Sequence, residues 1–329
     1  MLVRLVRSKS PFLLVFITLA TLLLWWSSFA DPELSRFHFH QAQMPLYALT
    51  LNWIGSNIFL NILISFLILL LQGLLILRFN QEYIFITTQT YLHPLFYLLI
   101  ASSFVQLQQF HPGLPASLFV FLMLDQLFGS YRKRYILNRL FLAGLFVGVA
   151  TLFYVHAVFF FLLIWVSLFI LRAFSLREWF VPVIGFAFPM AFLFGYYFAS
   201  DQLTVPGLLE TVEQVFNQDR TVTYNNPSYY LFYGFLAFWW LIASFSILRS
   251  LPKQKIYTRK FLEIFWWLFG GTIVLFALRD EISVEMLYVT AIPLSFLLAD
   301  HVHTMRSRTF GNVMLLIFLG LLGYIQYVN

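Results

Sequence analysis

The stretch NIFLNILISFLILLLQGLLIL, residues 57–77, decides what kind of protein this chain can form. It contains no charged residue, and its apolar residues follow one another without the alternation of a half-buried strand. A helix rises 1.5 Å per residue, so about 20 such residues cross a hydrocarbon core about 30 Å thick. Lipid cannot satisfy exposed backbone groups, and the stretch therefore predicts a membrane-spanning helix.

Ten more apolar runs accompany this one. Across the chain 61% of residues are hydrophobic, 20% are aromatic and 10% are charged, whereas a soluble domain is about a quarter charged. The sequence predicts an all-α integral membrane protein with about 11 transmembrane helices, forming a single polytopic membrane domain over residues 1–329. The runs lie at about 11–29, 57–77, 83–104, 114–130, 139–155, 157–174, 179–199, 229–248, 262–278, 283–299 and 309–326. The turn around His156 is very tight, so a broken or re-entrant segment is an alternative there.

Lysine and arginine residues fall on alternate gaps between the runs. Seventeen of the twenty lie in one set of gaps, and the gap at about 249–261 holds five of them. Short loops rich in Lys and Arg remain cytoplasmic. The pattern predicts a cytoplasmic amino terminus, an outer carboxyl terminus and a location in the inner membrane. Topology thus accounts for the net charge of +6, and we expect no nucleic-acid partner.

Two long gaps, at about 30–56 and 200–228, fall on the predicted outer side. The second half of the first gap mixes Leu, Tyr and Trp with few charges, as a helix lying at the membrane interface does. In the second gap, residues 208–216 place apolar side chains at helical spacing beside two glutamates. We therefore predict a short interfacial helix in each gap.

The three remaining arginines, Arg36, Arg220 and Arg279, also stand on the outer side. Asp31 and Glu33 open the first outer gap, and each arginine has a carboxylate nearby. A carboxylate can act as a general base, and the planar guanidinium of arginine suits phosphate. The alternative is a set of solvated loop charges with local ion pairs. The other carboxylates beside these arginines are Asp219, Asp280 and Glu281.

Histidines supply a second candidate set on the outer side. His38 and His40 are two residues apart, so both could point the same way if the chain is extended there. With His111 and Asp31 they have the ligand chemistry of a divalent-cation site. The alternative is that they are interfacial histidines bonded to water or lipid phosphate. The sequence contains no cysteine, which excludes disulfides and thiolate ligands.

Polar residues also interrupt the apolar runs or border them. His93 precedes a proline inside the run at 83–104, which predicts a kinked helix with a hydrogen-bonded histidine. Asp125, near the inner end of its run, is a candidate for function because it is a carboxylate inside an apolar run, and a pair with Arg132 or Arg134 is the alternative. Residues 300–303 are interpreted as a cytoplasmic loop.

The order of these features resembles the GT-C glycosyltransferases. One span is followed by an outer loop that opens on Asp31-Pro32-Glu33, and then by interfacial helices and a return span. The sequence HPGLP at 111–115 before a span, and a glycine-marked span at 140–148, add to the likeness over about the first two thirds of the chain. The phenylalanine-rich composition is also similar to that of inner-membrane proteins of Bacteroidota whose activity is uncharacterised.

The GT-C resemblance implies a membrane glycosyltransferase that takes its sugar from a polyprenyl-phosphate lipid in the bilayer. It implies Asp31 and Glu33 as catalytic carboxylates, with the three outer arginines binding the departing phosphate. One alternative is a membrane scaffold or assembly subunit that docks partners through the loop at 249–261. Another is a transporter or lipid flippase, which is expected to have several charges near the bilayer midplane.

Overall fold

The computed structural model of the protein describes residues 12–31, 44–54, 57–83, 90–172, 175–199, 227–278, 284–305 and 307–328. The regular elements in these ranges are helices. The α-helices are α1 (Phe12–Ala30), α2 (Pro45–Ile54), α3 (Ile58–Tyr83), α4 (Leu92–Ala101), α5 (Gly113–Phe128), α6 (Leu137–Phe153), α7 (Phe161–Leu171), α8 (Leu176–Ala199), α9 (Pro227–Ser250), α10 (Ile256–Leu278), α11 (Leu287–Thr304) and α12 (Arg308–Val328). Short 3-10 turns lie at Val105–Leu107, Val155–Phe160, Leu251–Lys253 and Val284–Met286.

Seven of these helices are long and apolar enough to cross a membrane, namely α1, α3 and α8 to α12. The four shorter apolar helices, α4 to α7, have 10–17 residues when α7 is taken with the turn before it. Large apolar side chains such as Phe12, Phe169 and Phe198 are exposed on the outside of the bundle, where lipid would cover them. This is the architecture of an α-helical membrane protein, which confirms the class that the sequence predicts. The predicted helix α2 is also present, within the first long gap.

The centre of the bundle is formed by α4 and α11. All ten residues of α4 and nearly all of α11 are buried, because α11 packs against α4, α5, α9 and α10. A helix surrounded in this way is apolar all round. Aromatic rings fill the space between the helices. The ring of Phe296 lies 4.6 Å from that of Phe265 and 5.5 Å from that of Phe79.

Helices α6 and α8 are in backbone contact through glycines. A Cβ atom on Gly144 would lie 2.0 Å from the carbonyl oxygen of Pro182, and one on Gly185 would lie 2.1 Å from that of Phe141. Lipid tails give no hydrophobic reason for two helices to associate, so close van der Waals packing between small residues takes that role. These glycines attach α8, an otherwise largely exposed helix, to the bundle.

Helix boundaries between α3 and α4 differ from the predicted runs. Helix α3 continues to Tyr83 instead of ending near 77, and Arg78 and Glu82 form an ion pair of 3.9 Å across its last turns. Helix α4 starts at Leu92, so Pro94 lies in its first turn, where proline is tolerated without a kink. The ring nitrogens of His93 are buried and have no hydrogen-bond partner among the described residues. The predicted kink with a hydrogen-bonded histidine was therefore wrong.

Two other interpretations of polar residues were also wrong. Asp125 accepts a hydrogen bond of 3.3 Å from the Tyr83 hydroxyl, and it forms no ion pair with Arg132 or Arg134. Residues 300–303 belong to the last turns of α11 and are not a loop, because the apolar face of that helix continues through Val302.

Contacts between helix ends show which of these ends lie together on each side of the bundle. At the basic end, Tyr83 contacts Asp125, Arg172 contacts the turn after α5, and the Lys260 ammonium donates to the carbonyl of Ile170 across 2.6 Å. The described lysines and arginines all lie in segments at this end. The opposite end, called the site end below, is where α1 finishes and α11 begins.

Candidate functional site

At the site end the chain between α4 and α5 leaves helical geometry and passes through the interior of the bundle. This segment, residues 102–112, is called the buried loop; all of its residues are buried except Gln106 and Gln109, which are half-buried. Irregular backbone within a membrane protein is tolerated where protein or a polar cavity surrounds it. The loop satisfies part of its own backbone, since Leu107 N donates to Phe104 O at 3.1 Å and Gln108 N to Val105 O at 2.9 Å.

Polar side chains of α1 hold the first half of the buried loop. The Ser28 hydroxyl donates to the side-chain oxygen of Gln108 across 2.6 Å, and the Trp25 ring nitrogen donates to the Ser102 hydroxyl across 2.9 Å. The Gln108 amide nitrogen in turn donates to the carbonyls of Leu24 and Ser102, each at 3.1 Å. The last turns of α1 and the loop therefore form one hydrogen-bonded unit.

Other helices bind the loop from the remaining sides. On α12, the Gln326 amide donates to the carbonyls of Ser102 and Ser103, each at 3.1 Å. Tyr47 of α2 donates to the carbonyl of Phe110 at 3.0 Å, and the hydroxyl of Tyr288 on α11 donates to the carbonyl of Leu107. Further contacts join Tyr229 to Gln106 and the side chain of Asn61 to Phe110 N.

A buried carboxylate lies at the end of this loop. Glu285, in the turn before α11, is 1% exposed, and the Tyr154 hydroxyl donates to its Oε1 across 3.3 Å. A Cβ atom at Gly113 would lie 3.1 Å from the Glu285 carbonyl oxygen and 3.3 Å from His111 Nδ1, so the start of α5 packs closely against both residues. The His156 ring is centred 5.0 Å from that of Tyr154. Three non-helical junctions, before α5, after α6 and before α11, thus meet around one carboxylate.

His111 completes this cluster. Its Nδ1 accepts a hydrogen bond of 3.1 Å from Gly113 N, and burial lowers the pKa of the imidazole to about 3. The ring is therefore neutral at pH 7, and an accepting Nδ1 assigns the ring proton to Nε2. A neutral imidazole with its proton on Nε2, a tyrosine hydroxyl and a carboxylate in a low-dielectric site can together bind a polar substrate and move a proton.

Of the residues predicted for the site, Asp31 and His111 are described, and both lie at the site end. Asp31 is exposed at the end of α1, and its backbone nitrogen donates to Ser27 O at 2.9 Å. Ser28, three residues before Asp31, and Tyr288, three residues after Glu285, both bind the buried loop. The other predicted site residues, which lie outside the described residues, are Glu33, Arg36, His38, His40, Asp219, Arg220, Arg279, Asp280 and Glu281.

The divalent-cation site predicted from histidines and Asp31 stays a prediction, because His38 and His40 lie outside the described residues. Among the described residues no three His, Asp or Glu side chains are grouped so that they could hold a metal ion.

Sequence reasoning passed over Glu285, Tyr154 and His156. Glu285 was not singled out among the carboxylates, and the turn around His156 was considered only as a tight turn or a broken segment. The signal was that each of these residues, like His111, stands at the end of an apolar run, on the side that the charge pattern predicts to be the outer one. Ends of neighbouring helices on the same side of a bundle meet, so polar residues at several such ends are candidates for one site.

The fold and the cluster together define an α-helical membrane protein with a buried, ionisable site at one end of its helices. Comparisons with models of protein families, with curated proteins and with solved structures find no match.

Proposed function

We propose that the chain is a membrane glycosyltransferase that takes a sugar from a polyprenyl-phosphate lipid at the outer face of the inner membrane. The observation that carries this proposal is the burial of Glu285 beside Tyr154 and His111, at the same end of the bundle as Asp31. A carboxylate held between helices is expensive to desolvate, and ionisable groups in such places generally serve function.

The proposed topology has about eleven spans, a cytoplasmic amino terminus and an outer carboxyl terminus. Support comes from the basic end, which gathers the lysines and arginines of the described residues. Because loops rich in Lys and Arg remain cytoplasmic, this end faces the cytoplasm and the site end faces outward. A polyprenyl-linked donor in the outer leaflet would then reach the cluster sideways from the lipid.

In the proposed reaction a hydroxyl oxygen of the acceptor attacks C1 of the donor sugar. The bond between C1 and the phosphate oxygen breaks, and its electron pair leaves with the polyprenyl phosphate. Asp31, exposed at the interface, takes the proton of the attacking hydroxyl, and Glu33 is the neighbouring candidate for this role. Arg36, Arg220 and Arg279 would stabilise the charge on the departing phosphate. Glu285 and neutral His111 would orient the hydroxyl groups of the sugar.

The test uses membranes that contain the full-length protein and a panel of radiolabelled polyprenyl-phosphate sugars. Wild-type protein is expected to transfer label to a polar acceptor, and Glu285→Gln, which keeps the size of the side chain, is expected to lose most of that transfer. The proposal fails if wild-type protein transfers no sugar from any donor, or if Glu285→Gln and Asp31→Asn are both as active as wild type.

One observation favours a second candidate, a transporter. Polar side chains that are fully buried continue from the site end into the middle of the bundle, where the Ser117 hydroxyl donates to Gln72 across 3.2 Å. Polar groups at such depth often mark a substrate or ion pathway. Proteoliposomes that take up a solute without sugar transfer would support this candidate over the enzyme. The residues of this buried set are Gln72, His93, Tyr97, Ser117 and Tyr288.

A further inference from the structure

A short turn at the basic end presents three consecutive cations. It is called the tribasic turn, residues 130–135, and it joins α5 to α6. Backbone hydrogen bonds from Tyr131 N to Phe128 O at 3.1 Å and from Lys133 N to Ser130 O at 3.2 Å shape it. Arg132 has a φ of 56°, in the left-handed region that side chains other than glycine seldom adopt. The turn is thus folded back on itself, with its three cations close together in the chain.

A fourth cation holds the turn in place. The guanidinium of Arg172, at the end of α7, donates to the carbonyls of Ser130 at 3.1 Å and Lys133 at 2.8 Å. Glu178 binds the same guanidinium across 3.1 Å, so the positive charge of Arg172 is neutralised locally. Arg172 thus serves the structure of the turn and leaves the three consecutive cations for another partner.

The side chains of Arg132, Lys133 and Arg134 are exposed, and no carboxylate of the described residues lies within ion-pair distance of them. Tyr135 follows them with 86% of its surface exposed, and the Arg134 guanidinium lies 5.8 Å from the centre of its ring. Exposed tyrosine beside exposed cations at the end of membrane helices is the composition of a surface at headgroup level.

We propose that the tribasic turn is a binding site for the phosphate headgroups of anionic membrane lipids. Charge complementarity and position carry the assignment, because the turn has three cations that no described carboxylate pairs, at the ends of two apolar helices. The contacts from Arg172 hold the backbone that carries the three cations, and a turn that is already held loses less entropy on binding. This inference does not depend on the proposed transferase activity.

The experiment titrates full-length protein in a neutral detergent with short-chain phosphatidylglycerol, and separately with short-chain phosphatidylcholine. The readout is the midpoint of thermal unfolding. The test variant combines Arg132→Asn, Lys133→Gln and Arg134→Gln, with Asn chosen because it tolerates the left-handed conformation. The control combines Arg249→Gln, Lys255→Gln and Arg259→Gln, which removes the same charge at the same end.

Phosphatidylglycerol is expected to raise the midpoint of the wild type, whereas phosphatidylcholine is not. The test variant should bind phosphatidylglycerol about a hundredfold more weakly, since each basic residue near a headgroup contributes about a fivefold factor. The affinity of the control variant for phosphatidylglycerol should fall by less than about tenfold. Equal losses in the two variants would show a general charge effect and overturn the site. Inorganic phosphate or a soluble acidic peptide, each at the same concentration as phosphatidylglycerol, should not displace the lipid. Displacement by either would overturn lipid as the ligand of the turn.

Discussion

The hydroxyl of Tyr154 donates a 3.3 Å hydrogen bond to the carboxylate of Glu285, and the two residues are 131 positions apart. This bond joins the end of α6 to the turn before α11. A buried carboxylate needs donors, because a charge taken out of water without them is strongly unfavourable. The contact therefore links the stability of the site end to the chemistry proposed for it.

We expect Tyr154→Phe to destabilise the folded protein by about 1–3 kcal/mol, because the buried Glu285 carboxylate loses a donor. Chemical denaturation in detergent, followed by tryptophan fluorescence, measures this change. The double variant Tyr154→Phe with Glu285→Gln should recover part of the loss, since a neutral amide is less costly to bury. Independent, additive effects of the two changes would contradict the coupling.

Asp31→Asn is expected to lower sugar transfer by about 10²- to 10⁴-fold, because the amide cannot accept the proton of the acceptor hydroxyl. The variant should still fold, since Asp31 is exposed. Initial rates with a polyprenyl-phosphate sugar are the measurement. Glu33→Gln is the matched control and should have a smaller effect. Arg279→Lys should also reduce the rate, because a point charge replaces the planar fork.

Topology can be measured with reporter fusions. A fusion after Lys255 should report the cytoplasm, and fusions after Asn217 or Asn329 should report the outer compartment, because the described cations gather at one end of the bundle. Alkaline phosphatase and green fluorescent protein give opposite signals on the two sides. A cytoplasmic signal from the carboxyl-terminal fusion would require an even number of spans.

Gly144→Ala should separate α6 from α8. Its methyl group would lie 2.0 Å from the Pro182 carbonyl oxygen. Because this oxygen belongs to the backbone, the two helices must move apart, and we expect the folded protein to lose about 1–3 kcal/mol of stability or more. Gly320→Ala on α12 is the control, since its Cβ would meet no atom within 4 Å. Thermal unfolding in detergent compares the two. Equal midpoints would show that the glycine contact does not hold α8 in place.

Gln108→Leu is expected to cost about 2–4 kcal/mol, because it removes the partner of the Ser28 hydroxyl and leaves the carbonyls of Leu24 and Ser102 without this donor. Thr18→Val is the control and should change stability by about 0.5 kcal/mol or less, since Thr18 is exposed and bonds only within its own helix. Denaturation midpoints measure both. A Gln108 variant as stable as the control would show that the buried loop does not depend on this network.

The sequence by itself determined the class of protein and which loops share an end. Burying an apolar run is favourable whichever helix it packs against, and the side of the membrane on which a basic loop remains depends on its own charge. Neither signal requires knowledge of the neighbouring helices. The helix Pro45–Ile54 could be predicted because its mixture of Leu, Tyr and Trp with few charges is typical of an interfacial helix. The convergence of Arg220 and Arg279 with Asp31 stays a prediction.

Tertiary structure alone decided which polar residues meet. Glu285, Tyr154 and His111 come from three junctions far apart in the chain, and no sequence pattern relates the three to one another. The buried loop also depends on partners from several helices, among them Ser28 and Gln326. Apolar runs predict that helices form, but which of their ends become neighbours depends on side-chain packing and long-range hydrogen bonds, for which local periodicity has no signal.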